Sequence, residues 1–317
     1  MYFLNKKFFL NINAAFLVFT AVLIFGTVKV SAQNMNPSAK KKSDFVTQDD
    51  KEFLKMKQFK VKIRNKYYIP DQIPGQTEPK SILISSEKFN HKGMITEMTE
   101  YNSSGLVTTR YKFKYDSKNR PVRAEGEENT GRKNVQVSKY DSRGYEIERS
   151  LLTTGRKVTE SKTELKYDKA GNPVEIKNFI NGRLNDQQTI SYKDNVRIKT
   201  VIMNEKGDTA IVLLPTYDFN GKLVKEEKIE GGVKSFENYV YDEKGNLVEF
   251  KDPESKRVYQ FNEKNDVIEH KMFLLDGRRQ IRLVFNYNQK GLQTDTFRYD
   301  NNEKVVYHTA YGYEYYK

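Results

Sequence analysis

The sequence predicts an all-β protein: tandem antiparallel β-hairpin repeats forming a long curled meander sheet, as a spiral, a shell or a wide barrel-like wall. Three observations carry this. A short phrase, aromatic-Asp/Asn-x-x-Gly/Asn, returns along most of the 317 residues. A second set of turn signals lies about midway between its copies. Residues leading into the phrase alternate between apolar and charged, the period of a strand with one covered face.

The copies begin at Phe89, Tyr101, Tyr115, Tyr140, Tyr167, Tyr217, Tyr241, Phe261 and Tyr287, with degenerate versions at Tyr192 and Tyr299. From Tyr115 to Tyr287 they recur every 20 to 27 residues; at both ends the interval falls to 12 to 14. Asp116, Asp141, Asp168, Asp218, Asp242 and Asn288 follow their tyrosines and start a turn, because a short acceptor side chain bonds the backbone two residues on. Gly144, Gly171, Gly221, Gly245 and Gly291, like Asn119 and Asn265, occupy the position that must take positive φ. A type I turn ending in such a residue is a three-residue hairpin loop with a G1 bulge. These tyrosines, carboxylates and glycines are therefore structural turn residues.

The half-interval implies two strands and two turns per period. The second turns are legible at Asn129, Thr153, Asn181, Glu205, Gly231, Asp252 and Asp276. The count is roughly 17 to 19 strands, at about 12 residues per strand and turn. Two residues before the aromatic stand Phe113, Leu165, Ile190, Tyr239, Tyr259 and Phe285; one residue before stand Lys114, Lys139, Lys166 and Arg298. One face is thus aromatic and the other charged, and the aromatic face must be covered. So many strands do not stay in one open sheet, which predicts that it curls on itself. The tyrosine stripe is expected to be packing, with hydroxyls at its wet edge. The Tyr-rich last strand is an exposed edge or pairs with a partner.

At these residues the chain resembles the YD-repeat family, also called rearrangement-hotspot (Rhs) repeats. Tyr239-Val-Tyr241-Asp242-Glu-Lys-Gly245-Asn246-Leu247 matches its Tyr-x-Tyr-Asp-x-x-Gly-Arg-Leu pattern at all but the Arg, and the likeness covers residues 80–317. The resemblance implies a curled β-shell on an exported protein. Neither the toxin domain nor the self-cleavage surroundings known in some members accompany Asp252-Pro253, so neither activity is carried over.

Ahead of the array, residues 1–32 read as a secretory signal peptide. Lys6 and Lys7 precede an apolar run over 14–28, and Val30-Ser31-Ala32 is a small-residue cleavage site. The expected location is therefore outside the cytoplasm: periplasm, cell surface or medium. The absence of Cys excludes thiolate metal sites, Cys nucleophiles and disulfides. Residues 33–46 read as a polar linker, with Lys40 to Lys42 solvated. Within 33–79, "TQDDKEFLKMKQF" predicts a short helix capped by Thr47 or Asp49, with Phe53, Met56 and Phe59 on one face. "KVKIRNKYYIP" then alternates as a strand, and the whole section is expected to cap the array.

The formal net charge is +13; residues 1–32 hold three basic and no acidic residues, leaving +10 on the exported chain. Such a chain attracts acidic polymers, although a solvated sheet surface explains the charge equally well. His91, His270 and His308 lack metal-ligand spacing and read as surface residues. No nucleophile elbow or phosphate loop occurs. Adjacent acids such as Glu226 and Glu227 point to opposite faces, whereas carboxylates from separate strands remain free to meet. Asp208-Thr209-Ala210 resembles an O-glycosylation triplet of Bacteroidetes. The expectation is a non-catalytic exported scaffold or binding module for a glycan, an anionic envelope polymer or a protein. It needs no cofactor or nucleic acid and makes no membrane contact beyond the signal peptide. The alternatives are an outer-membrane β-barrel and, behind it, an enzyme acting on polysaccharide.

Overall fold

The computed structural model describes residues 48–70, 81–155 and 157–317. The expected signal peptide, the linker, Thr47 and the turn-rich stretch 71–80 lie outside the described residues. One helix, α1 (Gln48–Gln58), precedes twenty strands. They are β1 (Val61–Ile69), β2 (Ile82–Phe89), β3 (Ile95–Tyr101), β4 (Val107–Tyr115), β5 (Pro121–Glu128), β6 (Lys133–Tyr140), β7 (Glu146–Thr154), β8 (Thr159–Tyr167), β9 (Pro173–Ile180), β10 (Arg183–Lys193), β11 (Val196–Asn204), β12 (Thr209–Tyr217), β13 (Leu223–Glu230), β14 (Val233–Tyr241), β15 (Leu247–Lys251), β16 (Ser255–Phe261), β17 (Val267–Leu274), β18 (Arg279–Tyr287), β19 (Gln293–Tyr299) and β20 (Val305–Tyr315).

Each strand pairs antiparallel with the next, and β1 pairs with both β2 and β20. Val61 stands opposite Tyr315 and Ile69 opposite His308, so the sheet closes into a barrel. Of the curled forms the sequence left open, the barrel is the one adopted. The last strand is not an edge, because β19 and β1 flank it. Nor does the section before the array serve only as a cap: β1 is a strand of the wall. Twenty strands spaced about 4.8 Å apart give a circular barrel roughly 30 to 40 Å across, depending on tilt.

The turns are built as their residues require. At Asp116 the Asn119 amide donates to the Asp116 carbonyl (3.0 Å) and the Asp116 amide to the Arg120 carbonyl (2.9 Å). The Asp116 carboxylate accepts the Lys118 and Arg120 amides, both at 2.9 Å. Asn119 has φ 64° and Gly171 φ 91°. At Gly171 a Cβ would also lie 2.1 Å from the Tyr145 hydroxyl, so both the backbone and the space demand glycine there.

Successive connections alternate between two rims, and the copies at Phe89, Tyr115, Tyr140, Tyr167, Tyr192, Tyr217, Tyr241, Phe261 and Tyr287 all fall at one of them, here the tyrosine rim. The chain walks round the barrel in one sense, and the turn has a fixed hand. Used at the opposite rim, the same turn presents its aromatic to the other face. Tyr299 does so, lying with Arg282, whose guanidinium is 4.6 Å from its ring and bonds Glu269 across the outer face.

Helix α1 identifies which face is inner. Lys51 donates to the Asn265 carbonyl (3.2 Å), Lys55 to Asp266 (2.6 Å) and the Gly291 carbonyl (2.7 Å), while the Lys57 backbone abuts Gly93. Those turns are six strand spacings apart, about 29 Å along the wall. Eleven residues of helix rise only about 16 Å. Such a helix touches all three turns only from the concave side. It packs there through Met56, 2 % exposed, against Val61, Phe89, Ile95, Met98, Phe113 and Leu292. As expected, Phe59 joins this core, whereas Phe53 remains exposed. A second core, Leu165, Ile176 and Ile190, sits under Tyr167 and Tyr192 on the same inner face. The tyrosine face is thus the inner wall, and the lysine-rich face is the outer one.

Candidate functional site: a break in the tyrosine ring

Along the tyrosine rim most phenols reach back one hairpin. The hydroxyl of Tyr115 donates to the Ile95 carbonyl (2.7 Å), Tyr140 to Pro121 (2.8 Å), Tyr167 to Glu146 (2.8 Å), Tyr192 to Pro173 (3.0 Å) and Tyr287 to Val267 (2.7 Å). The acceptor always stands six residues after the preceding aromatic. Tyr313 continues the series onto Gln293 (2.7 Å). Burial pushes the Tyr115, Tyr140 and Tyr167 phenols up to about 12. These tyrosines therefore form a structural series along the rim, and the Tyr241 ring has the Lys222 ammonium 5.2 Å away.

Tyr217 breaks the series. The copy before it, at Tyr192, is degenerate: β10 and β11 are joined by Asp194–Asn195 alone, φ 52° and 62°, a two-residue turn of the I′ kind. Every copy carries a bulge in its returning strand, as where Lys139 faces Glu148 but Tyr140 faces Glu146; with one loop residue fewer, Ser191 faces Lys199 and Tyr192 faces Arg197, so the fifth rather than the sixth residue after the aromatic stands opposite it. Ile198, six residues after Tyr192, turns out to solvent. The Tyr217 hydroxyl is left buried beside the Arg197 side chain with no acceptor for its proton.

Arg197 is turned inward instead and is 3 % exposed. Its Nη1 donates to Thr200 Oγ1 (3.2 Å) and its Nη2 to Glu226 Oε1, while its Nε is buried with no partner. Glu226, 8 % exposed, stands directly across from Glu237 on the neighbouring strand. Glu237 accepts a 2.6 Å hydrogen bond from the Tyr239 hydroxyl. Residues facing each other in an antiparallel pair have Cβ atoms about 5 Å apart, so the two carboxylates meet on the inner wall. Burial raises the Glu226 carboxyl above its ordinary value against the pull of Arg197, and Glu237 adds to the rise. Burial likewise raises Tyr217, although Arg197 draws it down.

This grouping offers two unpaired donors, Arg197 Nε–H and Tyr217 O–H, beside two carboxylates. Glu226, Glu237 and Arg197 were not selected from the sequence. The available signals were the degenerate "YKDNV" and Lys199, seven residues after Tyr192, where Val122, Ile147, Val174, Val224, Val248 and Ile268 follow other copies. Glu227, as expected of an adjacent acid, faces outward and pairs with Lys234 (2.7 Å). His91 is a surface residue, as expected, stacked on Tyr316 (3.9 Å), whereas His270 and His308 are half-buried and stack on Tyr259 (4.7 Å) and Phe297 (4.2 Å). Among the described residues no three His, Cys, Asp or Glu side chains gather as a metal would need.

No family model matches the chain, and no curated protein matches it. Among solved structures it is similar to the Photorhabdus luminescens Tc holotoxin pore carrying TccC3 (9 % identity, TM-score 0.30, 77 % of this chain and 18 % of that one). It is also similar to porin-like proteins of Bacteroides uniformis (9 %, TM-score 0.32, 80 % and 98 %) and Bacteroides vulgatus (8 %, TM-score 0.28, 80 % and 99 %). The chain spans less than a fifth of the toxin chain's length.

Proposed function

We propose that the chain is an exported β-barrel of the cell envelope that holds a ligand against its inner wall and catalyses no reaction. The observation that carries this reading is the closure of β1 onto β20, with buried, incompletely paired polar groups on the enclosed face. Closure favours a barrel over the open scaffold that the repeats alone suggest. The N-terminal segment supports export.

A closed antiparallel barrel with an even strand number is also how strands cross an outer membrane. One sector of the outer wall favours that second reading: Val201, Val212, Leu214, Phe236 and Val240 face outward over β11–β14, around the Glu227–Lys234 pair and the Lys225 ammonium 4.0 Å from the Phe236 ring. The rest of the outer wall favours water. Arg110, Lys112 and Lys114 on β4, Arg123, Glu125 and Glu127 on β5, and Lys162, Glu164 and Lys166 on β8 occupy the outward positions where lipid would lie. A Lys or Arg there costs roughly 2–4 kcal/mol at the bilayer midplane.

Purification without detergent separates the two readings. A single monodisperse species that stays out of lipid vesicles is expected. A requirement for detergent, or recovery in the vesicle fraction, would install the membrane barrel in its place.

A further inference from the structure

The repeat is broken once among the tyrosine copies on the inner wall, and the break leaves polar atoms unpaired. Natural chains depart from their own local rules where function requires it, and a buried polar atom without a partner calls for a ligand or water to complete it. Building on the lumen-binding reading above, we propose that Arg197, Tyr217, Glu226 and Glu237 form a subsite for a neutral, hydroxyl-rich ligand, that is, a saccharide.

The donor and acceptor balance selects this class. Arg197 Nε–H and the Tyr217 O–H are hydrogen donors with no acceptor. Glu226 and Glu237 are acceptors, each having one oxygen engaged, by Arg197 and by Tyr239. A ligand atom here must accept from the first pair and donate to the second. Phosphates and carboxylates only accept, and would face two carboxylates. An ammonium only donates, and would face the arginine. A hydroxyl does both, and neighbouring hydroxyls on a sugar ring satisfy two such groups at once. The remaining wall agrees in character, since Asn178 donates to Asp186 (2.7 Å) and Thr163 to Asn178 (2.8 Å) in a polar row on β8–β10.

Tyr217→Phe is the informative variant. Phe89 and Phe261 fill the same place in the repeat, so the ring accepts phenylalanine, and the lost hydroxyl has no protein acceptor. Calorimetric titration of the purified protein with neutral hexasaccharides (malto-, cello-, laminari- and xylo-) is the experiment, with polygalacturonate as the anionic comparison.

At least one neutral hexasaccharide is expected to bind, and Tyr217→Phe and Glu237→Gln each to weaken it by about tenfold. Tyr167→Phe, elsewhere in the ring, should leave binding unchanged. Neutral-sugar binding that survives both substitutions would overturn the subsite while leaving a lumenal binding protein standing. Binding of polygalacturonate alone would overturn the saccharide class proposed here. A blank with every ligand at about 1 mM would overturn both the subsite and the reading beneath it.

Discussion

The stretch β4–β10 and the stretch β11–β14 are built from one repeat, yet they differ on both faces of the wall. In the first, every tyrosine hydroxyl at the rim is bonded to the hairpin before it, and the outer face is dense with paired charge, such as Lys139 with Glu148 (2.7 Å) and Lys166 with Glu175 (2.8 Å). In the second, the ring is interrupted at Tyr217, an arginine and a glutamate are buried inside, and the outer face mixes apolar side chains such as Val201, Val212 and Leu214 with the Glu227–Lys234 pair. A single shortened turn at Asp194–Asn195 lies at their boundary. Regular turns make a wall, whereas one irregular turn makes a place in it.

The largest contrast should come from the ion pairs. Arg197→Met leaves Glu226 buried and uncompensated, and removing one partner of a buried pair costs about 3–5 kcal/mol. Arg123→Met in the regular stretch removes a half-exposed partner of Glu125 and should cost about 0–1 kcal/mol. Urea melts of the two variants compare them directly. Equal losses would mean that Arg197 is no more a part of the interior than Arg123.

The ring offers a smaller and cleaner contrast. Tyr167→Phe deletes a hydrogen bond to the Glu146 carbonyl and should cost about 0.5–1.5 kcal/mol. Tyr217→Phe deletes a hydroxyl whose proton has no acceptor, with only the Arg197 side chain beside its oxygen, and should cost clearly less than Tyr167→Phe. A loss at Tyr217 as large as at Tyr167 would show that its hydroxyl is bonded after all.

The regular stretch was legible in the sequence because its turns are local. Asp116 and Asn119 determine their hairpin within a few residues, and alternation about Phe113 and Lys114 assigns the faces. Even β1 and α1 could be read from alternation and spacing in "KVKIRNKYYIP" and "KEFLKMKQF". Closure was not legible. It depends on β1 meeting β20 some 250 residues away, and pairing registers between distant strands leave no local mark. The site was legible only as noise in the pattern. Glu226 and Glu237 become neighbours through the β13–β14 register, and Arg197 takes the inward place opposite Tyr192 because the short turn shifts the register by one residue.

The smallest effects are in pH dependence, where the two stretches should slope in opposite directions. In the regular turn, hydrogen bonds from the Arg120 amide and side chain hold the Asp116 carboxyl below its ordinary 3.8. The unfolded chain then binds more protons over that window, so the turn's contribution is present above pH 3.8 and is lost as pH falls through the depressed value. At the break, burial raises Glu226 above its ordinary 4.5, so above that pH the folded chain binds more protons, and stability falls as pH rises through the elevated value. Thermal melts across the acid range should therefore show Asp116→Asn flattening the low-pH limb and Glu226→Gln flattening the slope above pH 4.5. Asn already serves in this turn position at Asn90, Asn262 and Asn288, so Asp116→Asn should otherwise be nearly silent at neutral pH. If Glu226→Gln instead flattened the same low-pH limb as Asp116→Asn, Glu226 would be an ordinary solvated carboxylate, and the distinction between the two stretches would rest on their outer faces alone.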